Sequence, residues 1–113
     1  MGNYSKGFNT KETNDLKSIV LSRIPTRPTG VNSKDIARQT GINSRDVRFI
    51  IQMLRDDGEP ICGTPNEGYW IAQYSDELNG SINKLKSQIT TMHDTLDSLC
   101  KIRDFMRLQE MGE

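Results

Sequence analysis

The sequence has 113 residues, enough for one small domain with an appendage. Fifteen basic and fifteen acidic residues cancel, so no net field draws the chain toward nucleic acid or acidic lipid. Apolar residues make up 34 %, with one Trp, three Tyr and three Phe, which allows a modest core that gains from oligomerisation.

No apolar run is long enough for a membrane span or a signal-peptide core, so no membrane partner is expected. Gly2 is followed by Lys6 where N-myristoylation needs Ser or Thr, so no lipid anchor is expected either. The two cysteines, Cys62 and Cys100, lie in segments of different character and suggest no disulfide framework. A reducing, cytoplasmic setting fits.

Residues 1–11 are polar and rich in Gly and Asn, and read as a loose lead-in. The first helix is expected over about 12–24, where Leu16, Ile19, Val20 and Ile24 recur at helical spacing. Pro25 and Pro28 end it, and "PTRPTG" reads as a loop carrying Arg27. A second helix is expected from Ser33, as N-cap, to Thr40, with Gly41 as the left-handed C-terminal residue. A third spans about Ser44 to Asp57, capped by Asn43 with Asp46 three residues on. Short strands over 60–63 and 68–73, separated by "TPNE", read as a β-hairpin. "SDEL" then opens a long helix to about Gln109, with Gly80 a weak point in its first turns.

The second and third helices are joined with a particular spacing. Ala37 is small where two helices approach closely, Gly41 makes the turn, and Val47 and Ile50 face back into the core. Ile36, Ile42 and Leu54 complete the inner stripe. The A-x3-G-x5-V-x2-I pattern resembles the helix-turn-helix superfamily. With the first helix before it, and with "VRFIIQMLRDDGEPI" and "GYWIA" after it, the segment looks like a winged-helix domain. It is similar to short winged-helix proteins of bacterial and phage genomes, many of them transcriptional regulators.

The resemblance implies a winged helix-turn-helix domain over residues 12–74, and implies that its recognition helix lies in the major groove of double-stranded DNA. The outward residues there are Ser44, Arg45, Arg48, Gln52 and Arg55. Arg takes guanine bidentately and Gln takes adenine, so Arg45, Arg48 and Gln52 are the expected base readers. Asn43 and Ser44 at the helix start suit phosphate. Lys34 and Arg38, one turn apart on the preceding helix, are placed for flanking phosphates. The wing "TPNEG" carries no Lys or Arg and presents Glu67, unlike wings that enter the minor groove. Phe49 and Met53 form a second apolar pair, expected to pack on the hairpin or to meet a partner or thymine methyls. Trp70 is expected to be a core or domain-helix contact, not a base-stacking residue.

The third expected segment, residues 75–110, is an assembly helix. Leu78, Ile82, Leu85, Ile89, Met92, Leu96 and Leu99 are spaced 4-3-4-3-4-3, an uninterrupted heptad stripe. A winged-helix body is too small to cover such a stripe, so it calls for a second copy in an intermolecular coiled coil. Ile at one seam position and Leu at the other favour two strands in a parallel pair, and an antiparallel pair stays open because the flanking Ser81, Lys86, Gln88, His93 and Thr95 carry little charge code. Beyond Leu99 the repeat loosens: Arg103 enters the seam, and Ile102, Phe105, Met106 and Leu108 spread around the helix, with Met106 still expected at the oligomer interface. Cys100 flanks the seam as a small filler.

Residues 1–75 carry ten basic and eight acidic residues, a balance of +2, and residues 76–113 carry five and seven, a balance of −2. The positive share thus falls on the helix-turn-helix part. No phosphate-cradling loop, no metal-ligand cluster around His93 and no activated nucleophile is present in the sequence, so neither catalysis, metal nor cofactor is expected. The expected function is sequence-specific DNA binding by a homodimeric regulator. The alternatives are a winged-helix module binding another protein, such as a phage factor acting on a host protein or an assembly subunit, and a DNA-packaging or replication accessory protein.

Overall fold

A computed structural model of the chain describes residues 10–26 and 30–112. It is mainly helical, with one small antiparallel hairpin and a long C-terminal helix. The order is α1 (Thr10–Ser22), α2 (Ser33–Thr40), α3 (Ser44–Asp56), β1 (Ile61–Thr64), β2 (Gly68–Ile71) and α4 (Leu78–Met111). Two compact units divide it, Met1–Ser81 and Ile82–Glu113. Most of the lead-in and Arg27 lie outside the described residues, while Thr10 and Lys11, expected in the lead-in, already belong to α1.

The core of the first unit forms where the helical stripes converge. Val20 and Ile24 meet Ile36, Val47, Ile50, Ile51, Met53, Leu54, Ile61 and Tyr69, all buried. Leu16, Leu21, Val31, Ala37, Ile42 and Ile71 pack around them. One expectation needs correction. Ile19, read as part of the α1 stripe, stays exposed, and Leu21 packs in its place. Met53, expected to pack on the hairpin, is buried in the same cluster as Ile61 and Tyr69.

Local signals set the helix ends. Asn32, not Ser33, caps α2: its Oδ1 accepts from the Asp35 N–H at 2.8 Å. Ser33 is buried as the first helical residue, and its own N–H donates to the Pro65 carbonyl of the hairpin turn at 3.1 Å. A cap side chain one residue earlier leaves that backbone donor available to the hairpin. Gly41 closes α2 in the left-handed region at φ 78°, its N–H donating to the Ala37 carbonyl at 2.9 Å. Asn43 caps α3 as expected, with Oδ1 accepting from the Asp46 N–H at 2.9 Å.

β1 and β2 pair with Ile61 opposite Ile71 and Gly63 opposite Tyr69. The other edge of β2 is also occupied, which the sequence did not suggest. Thr26 bridges to Ile71 in parallel and Val31 to Tyr69 antiparallel. The Tyr69 N–H donates to the Val31 carbonyl at 2.7 Å, and the Val31 N–H returns to the Tyr69 carbonyl at 3.0 Å. Pro25, Thr26 and Val31 thus meet the outer edge of the hairpin, and the Ile71 N–H, donating to the Pro25 carbonyl at 2.8 Å, is satisfied there with the Tyr69 groups.

The first turns of the long helix belong to the same unit. Glu77 Oε2 accepts from the N–H groups of Gln73 and Tyr74 at 3.0 and 3.1 Å, so Glu77 caps the start in place of Ser75. The Ser81 hydroxyl accepts from the Gly63 N–H at 2.9 Å. These contacts carry the compact part of the chain through Ser81, beyond the expected boundary at 74.

The second unit is the remainder of α4. The helix has 34 residues in all, about 51 Å at 1.5 Å per residue, and none of them is buried. Leu78 is half-covered within the first unit, whereas Ile82, Leu85, Ile89, Met92, Leu96, Leu99 and Met106 are exposed.

Candidate nucleic-acid interface

α3 has two unlike faces. Val47, Ile50, Ile51 and Leu54 are each no more than 3 % exposed and fix the helix against the core. The opposite face carries Arg45, Arg48 and Gln52, all exposed. Together with Phe49 they line an open depression of about 360 Å³. The three expected base readers are thus brought to one surface, around an aromatic ring that the sequence reading left secondary.

The polar groups differ in how committed they are. The Arg45 guanidinium lies over the Phe49 ring, 5.7 Å from its centroid, a cation–π arrangement that holds the side chain across the face. Arg48 forms no salt bridge among the described residues, and its charge acts on Tyr69. Gln52 donates through Nε2 to Asp56 Oδ1 at 2.9 Å, one turn on. Ser44 is half-buried at the helix start. Asn43 is engaged through both ends of its amide, donating to Asp46 Oδ2 at 3.1 Å as well as capping the helix. Asp46 is thereby tied to Asn43 beside Arg45. On α2, Lys34 is exposed, and Arg38 donates to Asp35 one turn back.

Arg55 does not belong to this face. Its Nε donates to the Ile61 carbonyl at 2.9 Å and a terminal nitrogen to the Gly63 carbonyl at 3.1 Å. Its guanidinium also lies 5.7 Å from the Tyr69 ring centroid. The planar donor fork bridges two carbonyls of β1 and fixes the hairpin to the end of α3. Spacing alone could not reveal this, because the acceptors belong to a strand that the helical period does not describe. Burial raises the Tyr69 hydroxyl above its ordinary pKa, against the opposing pull of Arg55 and Arg48, so it stays a neutral phenol at physiological pH.

The hairpin turn offers no cation. Thr64 Oγ1 accepts from the Glu67 N–H at 3.1 Å and donates to Glu67 Oε1 at 3.3 Å, which fixes an exposed carboxylate at the tip. Trp70, half-buried, stands on β2 opposite Cys62. Among the described residues no cluster of His, Cys, Asp or Glu is placed to hold a metal ion, and no helix is long and apolar enough to cross a membrane.

Compared with known proteins, the chain matches no family model, no curated protein and no solved structure.

Proposed function

We propose that this chain is a sequence-specific double-stranded DNA-binding protein of the winged helix-turn-helix kind, acting as a homodimeric transcriptional regulator without catalytic activity. The observation that carries the reading is the outward face of α3. Arg45, Arg48 and Gln52 surround an open depression on a helix whose other face is fixed in the core. Arginine and glutamine are the side chains best matched to purine edges in the major groove, and a helix held rigidly by its inner face presents them reproducibly. The bridges of Thr26 and Val31 to β2 also support the winged-helix reading, since they tie the connection between α1 and α2 to the hairpin.

The exposed seam of α4 supports assembly through a second copy. From Ile82, the seam alternates Ile82, Ile89 and Leu96 with Leu85, Met92 and Leu99. The positions flanking it on one side are Lys86, His93, Cys100 and Arg107, and on the other Ser81, Gln88, Thr95, Ile102 and Gln109, too few charges to set the orientation. The Ile/Leu alternation is what favours a parallel pair. Two recognition helices held by one seam would read a two-fold site.

The test is binding to duplexes enriched from random or genomic DNA, followed by fluorescence anisotropy at moderate salt. Arg45→Ala and Arg48→Ala should each weaken the specific complex by about 1–3 kcal/mol. Uniform weak binding to every duplex, unchanged by either substitution, would reject the reading. In that case the anion at Glu67 and the zero net charge favour the second reading, a winged-helix module whose partner is another protein.

A further inference from the structure

We propose that Phe49 makes this surface a reader of pyrimidine methyl groups, so that the preferred site contains a thymine next to a guanine taken by Arg45. The inference rests on the DNA-binding reading above and adds a determinant of specificity to it.

Phe49 lies only about 40° from Arg45 around the helix axis, at 100° per residue. It therefore belongs to the outward face, not to the stripe of Val47, Ile50, Ile51 and Leu54. It is half-buried and forms part of the wall of the depression lined by Arg45, Arg48 and Gln52.

The ring and the cation above it form one device. With the guanidinium lying over the ring at 5.7 Å, its N–H groups remain in the guanidinium plane, at the edge, where a bidentate pair with guanine O6 and N7 forms. The part of the ring that lines the depression puts apolar area beside that contact. The major groove presents one prominent apolar group, the 5-methyl of thymine, which 5-methylcytosine shares. Cytosine lacks it and directs an amino donor at the same surface, for which the ring has no acceptor. The composition of the pocket, two cations, one amide and one aromatic, thus matches a methylated pyrimidine beside a guanine better than a run of guanines.

The experiment uses the full-length protein and a duplex selected from random sequence. Thymines of the selected site are replaced singly by deoxyuridine, which removes the methyl alone. One position beside a guanine should lose about fourfold in affinity with the wild-type protein, the worth of one buried methyl. Phe49→Ala should bind the thymine and uracil duplexes equally. Replacing that T·A pair by C·G should weaken binding, and 5-methylcytosine at the same position should restore part of it. A selected site with no methyl-sensitive position overturns the inference and leaves DNA binding standing. Selection of no duplex at all overturns both. The deoxyuridine series needs only wild-type protein, so the outcome does not depend on the folding of the variant.

Discussion

Replacing Leu85 and Ile89 together by Asp should halve the mass of the protein in sedimentation and lower its affinity for a two-fold DNA site by about 10²–10⁴-fold, the contribution of tethering two sites. These side chains are 52 % and 64 % exposed, so nothing among the described residues buries them. Asp on an exposed helix costs only a few tenths of a kcal/mol in propensity. Between two helices, the same carboxylates would face each other in an apolar seam, where unpaired charge is strongly disfavoured. The first unit should keep its melting transition, because its core contains none of these residues. An unchanged mass would reject the seam. A halved mass with unchanged DNA affinity would keep the seam and reject its role in binding.

The same seam gives a test of orientation. In a Cys100→Ser background, Leu85→Cys should form a disulfide between copies under mild oxidation if the strands run parallel and in register, since a bridge needs Cα atoms about 4.4–6.8 Å apart. An antiparallel pair centred near Met92 would hold the two introduced thiols about 20 Å apart at 1.5 Å per residue. Absence of the crosslink in a protein that sediments as a dimer would reverse the orientation.

What the sequence reveals here follows from which interactions have a period. The inner faces of α2 and α3 obey one, so Ile36, Val47, Ile50 and Leu54 are identifiable before any coordinates, as are the turn at Gly41 and the cap at Asn43. The outward positions Arg45, Arg48 and Gln52 follow by subtraction, and the structure does bring them to one surface. Subtraction fails for Arg55, whose position on the wheel is outward but whose long side chain reaches the β1 carbonyls. Met53 was expected to pack on the hairpin, and it joins the core beside Ile61 and Tyr69. The pairing of Thr26 and Val31 with β2 was hidden for a different reason. Two prolines and a glycine give that segment the composition of a loop, and the strand character of single bridged residues comes from the partner strand, not from their own propensity. The cap at Asn32 illustrates a near tie: Asn and Ser are both good caps, and the hydrogen bond from Ser33 to Pro65 decides between them.

Gly63→Ala should destabilise the first unit by roughly 3–5 kcal/mol, the range of severe backbone and packing defects. Gly63 sits in β1 at φ 100°, in the left-handed half of conformational space. A Cβ there would stand 1.8 Å from the Gly68 carbonyl oxygen and 2.9 Å from its carbon, and 3.1 Å from the Tyr69 Cα. All three neighbours are backbone, so no side chain can rotate away. Relief requires β2 to move, and β2 is held on its far edge by the Val31–Tyr69 pair and by the close approach of Gly68 to Gly30. Movement of β1 would also disturb the acceptors of Arg55 and so loosen the hairpin from α3. Gly58→Ala is the control. Its φ of 102° is nearly the same, but a Cβ there meets nothing within 4 Å, so it carries conformational strain alone, about 1–2 kcal/mol. The difference between the two variants in urea denaturation isolates the steric term. With total stability for such a domain of about 5–15 kcal/mol, Gly63→Ala should leave a substantial unfolded population at physiological temperature while Gly58→Ala stays folded. Equal denaturation midpoints for the two would show that the hairpin yields at no cost, and would remove the basis for treating it as a rigid support for α3.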